Sequence, residues 1–285
     1  LNGSKPSNRL VTLGVPVILV IGVALVRAYL FGSGPPSRGA QPPVWLAPWY
    51  GFLGGIAASG MAITAPILAG ALATCLGART ASSRNGNGPP LRSILVPAVT
   101  FGIGFAVAFS TPISGTPAAY AAFVSAGRRV VDIAGGILLV GLGAWALAAG
   151  RLAWRRRVAG RPRWPHGLSP TVAAAAGGAV MGLLLFHDLD PTYDSVFFST
   201  GLAVAESHWP RAAYAFSLGL AIIYVLGIGW LGGWAKRGGG ARRAVVVIQQ
   251  VAAVAVMVLG VVFATGHDAW LLRVLEPGPP GWAMR

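Results

Sequence analysis

Acidic side chains are scarce in this 285-residue chain, where seven Asp and Glu stand against 22 Lys and Arg for a net charge of +15. Cysteine is scarcer still. Cys75 is the only thiol, which excludes an intrachain disulfide, a CxxC redox pair and a thiolate metal cage. The only lysines, Lys5 and Lys236, fall at connections, so no span offers the amine of a retinal Schiff base. No Walker-type phosphate loop, Gly-x-Ser-x-Gly elbow or His-Glu-x-x-His helix occurs. A haem held by two imidazoles is excluded as well, because only His187 falls inside an apolar run while His166, His208 and His267 lie in or beside connections.

What is abundant is apolar surface: 55% of residues are hydrophobic and only 10% are charged. Runs long enough to cross a bilayer recur, and the stretches between them are too short to bury a core. The expected fold class is all-α integral membrane, with about seven spans at 10–31, 46–76, 93–115, 129–152, 170–205, 211–235 and 244–265. The second and fifth are too long for one straight crossing. Gly60 and Pro66 punctuate one and Pro191 the other, so both read as Pro-broken helices.

All but two of the basic residues are arginine, and they gather in short connections rather than on a soluble module. That pattern excludes nucleic acid and points to membrane lipid. Arg79, Arg84 and Arg92 mark one connection, Arg151 to Arg163 a second, and Lys236 to Arg243 a third; the alternate connections are poorer. The asymmetry predicts a bacterial-type inner (plasma) membrane protein with its amino terminus in the cytoplasm and its carboxyl terminus outside. Residues 1–45 read as a retained first span and exterior loop, 46–265 as a six-helix domain and 266–285 as an exterior tail.

The six-helix domain repeats internally, its first three spans as its last three. VDIAGGILLVGLG (131–143) aligns without gaps on IQQVAAVAVMVLG (248–260), placing Asp132 on Gln249 and Gly143 on Gly260. FGIGFA (101–106) aligns on FSLGLA (216–221), placing Phe101 on Phe216 and Gly104 on Gly219. Three spans per half is an odd number, which predicts a 3+3 inverted repeat.

With AYAFSLGLAIIY (213–224), DPTYDSVFFSTGLA (190–203) and these two glycine-bearing spans, the chain resembles the membrane domain of the DsbD and CcdA thiol-disulfide transporters, within the LysE-like group. The resemblance covers about 46–265 and implies alternating access by rocking of the halves. It departs at the chemistry, because the family passes reducing equivalents through one cysteine at each broken helix. Here Thr192 follows Pro191, and SGMAITAP (59–66) has no sulfur at the corresponding place.

One stretch concentrates what the chain otherwise lacks: FHDLDPTYDS (186–195) holds three of the seven acids. Three carboxylates facing lipid at mid-bilayer would oppose insertion by roughly 8–10 kcal/mol, so they need protein, water or a cation. His187, Asp190 and Asp194 share one helical face, with Asp188 and Thr192 beside them. Such a set suits transport or binding of a cation or proton, or a divalent metal ion held by His187, Asp190 and Asp194. The plainer reading is a solvated re-entrant loop, with Asp190 capping a helix that Pro191 begins. Asp132, beside Arg128 and Arg129, reads as an interfacial ion pair. Ser59, Gly60 and Thr64 read as small residues that let helices approach.

The function expected from these features is movement of a cation, proton or small solute on a scaffold without the redox cysteine pair. A rival from another class is a non-catalytic membrane subunit or assembly factor of a respiratory or biogenesis complex. It would dock protein partners through the first span and the Pro-rich exterior segments SGPPSRGAQPPVW and EPGPPGW. An enzyme acting on a lipid-soluble substrate through the His/Asp cluster is the third and least favoured.

Overall fold

A computed structural model describes residues 7–31, 44–60, 64–80, 92–113, 127–159, 169–199, 209–235 and 239–267. Among them lie eight α-helices, one 3-10 turn and no strand. In hydrocarbon every backbone N–H and C=O needs an internal partner, and helices supply those partners within one segment. Helix α1 spans Ser7–Phe31, α2 Ala47–Ala58, α3 Ala65–Thr80 and α4 Arg92–Ile113. Helix α5 spans Arg128–Ala159, α6 Pro170–Ser199, α7 Trp209–Ala235 and α8 Gly239–Thr265. Local chemistry sets several ends. Ser169 accepts from the Val172 N–H at 3.2 Å ahead of Pro170, an N-cap followed by the residue whose fixed φ suits a first turn. Gly266, at φ 78°, closes α8 while the His267 and Gly266 N–H groups donate to the Val262 and Phe263 carbonyls.

Segments 92–112, 128–148, 211–235 and 243–265 are long and apolar enough to cross a membrane, and 14–26, 65–76 and 170–185 are shorter apolar stretches. The described residues thus have the all-helical, apolar character of a membrane protein. Its surface agrees, since Ile103, Val107, Val251 and Val258 point outward while the centre holds glycine, alanine and phenylalanine. The Phe105, Phe109 and Phe216 rings stack in series at 5.6 and 5.7 Å between centroids. Outward aliphatics around a small-residue interior are what lipid solvation permits and water does not.

Glycines set how the helices meet. Helix α2 runs alongside α7 in the same direction, with Gly51 against the Ala212 backbone, Gly55 against Phe216 and Gly219 against Phe52. Helices α4 and α6 also run together, with Gly104 on Ala175, Gly178 on Phe101 and Gly182 on Phe105. By contrast α4 opposes α7: Gly102 meets Ala221 and Val225, and Ser110 meets Ser217 further along. Helices α5 and α8 are antiparallel, with Gly143 on Ala253 and Met257, and Gly260 on Gly136 and Val140. Helix α3 opposes α6, Gly70 lying on Met181 and Thr74 on Gly177.

The two long segments differ from each other. The first is interrupted as expected: α2 ends at Ala58 and α3 begins at Ala65. The second departs from expectation, because α6 runs through Pro191 to Ser199 as one helix. Between α2 and α3 two breakers act together, Gly60 and then Pro66, whose missing N–H suits the first turn of a new helix and not the interior of a continuing one. A lone Pro191 withdraws one backbone donor, a loss that membrane helices absorb by local adjustment.

Candidate functional site

The interruption between α2 and α3 is built from hydroxyl groups. The Ser59 N–H still donates to Gly55 O at 3.1 Å, and the Gly60 N–H reaches only Ala57 O at 3.4 Å, so the last turn tightens before the helix stops. Ser59 Oγ donates back to Ile56 O at 2.6 Å. Thr64 Oγ1 lies 3.4 Å from Ala58 O and 3.3 Å from Ser59 O, a three-centred contact that covers the carbonyls α2 leaves behind. The carbonyl of Thr64 itself accepts from Tyr224 Oη of α7 at 3.2 Å. Thr64 is 1% exposed and Tyr224 6%, so these bonds are buried.

Around this point the described polar groups are hydroxyls and carbonyls. Ser110 Oγ and Ser217 Oγ stand 3.2 Å apart where α4 crosses α7, and Ser217 Oγ also lies 3.0 Å from the Ala213 and Tyr214 carbonyls. Hydroxyls and displaced carbonyls hold backbone in unusual shapes and line polar paths. A nucleophile with an adjacent base is not among the described groups here. Cys75 is buried in α3 beside Thr74, at 3.8 Å from its hydroxyl.

Of the residues that the sequence marks as candidates, Gly60 sits in the break, and Pro66 is the second residue of α3, where a missing N–H falls among donors that lack helical partners anyway. His187, Asp188, Asp190, Pro191, Thr192 and Asp194 have their backbone in α6, and their side chains lie outside the described residues. Helix register still locates that backbone. Gly178 packs on Phe101 and Gly182 on Phe105 and Phe109, so residue-for-residue extension carries positions 190 and 194 past Ile113, the end of α4. By that register His187 and Asp188 fall level with the last described turn of α4, and Asp190 and Asp194 fall beyond it. Among the described residues no group of three His, Cys, Asp or Glu could hold a metal; the proposed ligands His187, Asp190 and Asp194 fall outside them.

Asp132 pairs with Arg128 at 3.7 Å, as its position predicts, and Arg129 donates to Ala264 O at 3.4 Å, tying α5 to the end of α8. Gln249, aligned with Asp132 in the repeat, is fully buried and donates through Nε2 to Ala146 O at 3.1 Å; its Oε1 has no partner among the described residues. Two features are not legible from sequence reasoning of this kind. Tyr224 ends the motif AYAFSLGLAIIY without an assignable role, because nothing local says that its hydroxyl meets a carbonyl far away in sequence. The Gly54-Gly55 and Gly177-Gly178 pairs open the two halves alike, and their shared doublet is the signal that could have found them. Comparison with known proteins returns nothing: no family model, no curated protein and no solved structure matches the chain.

Proposed function

We propose that the chain is a membrane transport protein, built as an inverted repeat on a scaffold like that of the DsbD and CcdA transporters but without their redox cysteine pair, which moves a cation, proton or small solute. The observation that carries this reading is the reciprocity of its helix contacts. Gly55 on Phe216 has its counterpart in Gly178 on Phe101, and Gly219 on Phe52 in Gly104 on Ala175. Gly143 on Met257 likewise mirrors Gly260 on Val140. Exchange of the halves reproduces each contact, and corresponding helices run in opposite directions, which supports an axis in the membrane plane. In α7 that axis falls near Ala221, which meets Gly102 of α4. Gly55 faces Phe216 and Leu220 while Thr64 faces Tyr224, so the break brackets this level.

Interrupted helices meeting at mid-bilayer are where transporters of this architecture hold their cargo. The acidic stretch would then recruit a cation or proton on one side of this level, with Asp190 and Asp194 outermost. Purified protein in liposomes, followed with a pH-sensitive dye and with Mn2+ or Zn2+ outside, tests this directly. Wild type should show flux that Asp190→Asn and Asp194→Asn each reduce at least about tenfold, as removal of a required charge implies. Flux at the wild-type rate in both variants would sink the assignment.

A second reading has one observation behind it. Helix α1 leaves Ile18, Val20 and Leu25 between 64% and 69% exposed, an added span suited to docking another membrane subunit. Native mass measurement after gentle extraction separates the two, since a stoichiometric foreign subunit supports docking and a lone chain or homodimer supports transport.

A further inference from the structure

We infer where the lipid bilayer lies on the molecule: its midplane passes through the level of Ala106 and Ala221, and its hydrocarbon, about 30 Å thick, ends at two belts of aromatic and basic residues. Two independent measures of level agree on this. The first is the symmetry of the close contacts. Gly102 on Val225 is exchanged by the repeat with Ser110 on Ser217, so the axis relating the halves crosses α4 at Ala106 and α7 at Ala221. Gly143 on Ala253 is exchanged in the same way with Gly260 on Gly136, which places the axis between positions 139 and 140 of α5 and between 256 and 257 of α8. An inverted repeat in a membrane needs that axis in the membrane plane.

The second measure uses aromatic side chains and takes nothing from the repeat. Gly51 on Ala212 and Gly55 on Phe216 fix the register of α2 against α7 and carry Trp49 level with position 210 of α7. Trp49, Trp45 one turn before it, and Tyr29 of α1, which meets Tyr50, are all more than half exposed. At the other end of α7 the indoles of Trp230 and Trp234 stack with centroids 6.3 Å apart. At about 1.5 Å per residue, position 210 and Trp230 are about 30 Å apart, the thickness of a hydrocarbon layer. Halfway between them is position 220, next to Ala221. Leu218, Ile222 and Leu226 line the outward face between the two belts.

The charged residues respect the same layer. Gly135 near the start of α5 meets Leu184 on the Trp49 side of the axis, which orients α5 and with it α8. Measured from the axis at about 1.5 Å per residue, Arg129 and Arg211 stand about 16 and 15 Å away on the Trp49 side, and Arg92 and Arg243 about 21 and 20 Å away on the Trp230 side. Asp132 is the one charged residue of α4, α5, α7 and α8 that stands nearer, at about 11 Å, and it is buried and paired with Arg128 toward the boundary. In α6, whose register on α4 comes from Gly178 and Gly182, the backbones of Asp188, Asp190 and Asp194 stand about 10, 14 and 20 Å out, so this stretch approaches and crosses the boundary. The interruption between α2 and α3 lies at the centre, since Ala58 falls level with position 219 of α7 and Thr64 meets Tyr224. This placement rests on the contacts and the aromatic belts and takes nothing from the movement of a solute.

Nitroxide labelling of the full chain in phosphatidylcholine vesicles tests the placement. On a Cys75→Ala background, a cysteine is introduced singly at outward-facing positions, as Tyr214→Cys, Leu218→Cys, Ile222→Cys and Leu226→Cys on α7 and Ile103→Cys and Val107→Cys on α4. Collision with oxygen, which concentrates in the centre of the hydrocarbon, relative to collision with a water-soluble nickel chelate reports depth. Ile222 should read deepest on α7, followed by Leu218, Leu226 and Tyr214 in that order. The repeat mates Ile103 and Leu218 should read equal depths, as should Val107 and Ile222. A maximum at Leu218 or Leu226 would shift the layer along α7 and overturn the placement, and unequal depths within the pairs would do the same. Where one variant does not fold, its mate in the other half carries the same reading. The expected depth profile in a protein that carries no flux would keep the placement and remove the transport reading alone.

Discussion

The crossing that opens the first half and the crossing that opens the second begin alike and end differently. Each carries a glycine doublet, Gly54-Gly55 and Gly177-Gly178, and each presses its second glycine against a phenylalanine backbone in the other half, Phe216 or Phe101. Beyond the doublets the first crossing stops at Ala58 and restarts at Ala65, while the second continues to Ser199. Close approach and helix continuity are thus set by separate residues. Glycines without side chains bring the backbones together, and the spacing of Gly60 and Pro66 decides whether the helix continues past the contact. One packing arrangement can therefore serve two halves that differ in helix continuity.

Equal substitutions at the shared feature should hurt both halves equally. A Cβ at Gly55 or Gly178 would overlap the facing carbonyl, so Gly55→Val and Gly178→Val should each destabilise by roughly 3 kcal/mol or more. Tryptophan fluorescence during thermal unfolding in detergent measures this, and a large loss in one variant alone would break the proposed equivalence. The prolines should separate the halves. Pro191→Ala restores a backbone donor inside a continuous helix and should stabilise by about 1–3 kcal/mol, whereas Pro66→Ala, in a first turn, should change stability by less than about 1 kcal/mol. Equal responses would mean that the two prolines occupy similar surroundings.

Smaller effects sharpen the comparison between α5 and α8. Gln249→Met keeps the volume, gives up the bond to Ala146 and relieves the buried Oε1, so unfolding should shift by less than about 1 kcal/mol. Asp132→Asn at the opposite end should cost about 0.5 kcal/mol, because its Arg128 partner is partly solvated. That difference should shrink when the melt is repeated at high salt, and a salt-independent loss would indicate a less solvated pair.

Periodicity and apolar length make the helices legible, and a glycine alignment points to the pairing of α4 with α7 and α5 with α8, because close approach leaves its mark in small residues. The Asp132 pair is legible because its partner lies one turn away. The interruption in the first crossing can be read from Gly60 and Pro66 acting in concert. Continuity through Pro191 cannot, since a proline's effect depends on how the surroundings compensate the lost bond. Ser59 and Thr64 read as packing residues, yet they hydrogen-bond the ends of a stopped helix, a role visible only once the stop is located. Tyr224 lies beyond local reasoning altogether.

That separation has a consequence for how the protein is made. Thr64 precedes its donor by 160 residues, so the ribosome delivers the interrupted crossing to the membrane well before the tyrosine that completes it. Until α7 arrives, Thr64 has only its contacts within the first half, and the bond that ties its carbonyl to the second half forms once Tyr224 is in place. Synthesis of the second half is in this sense the step that finishes the first.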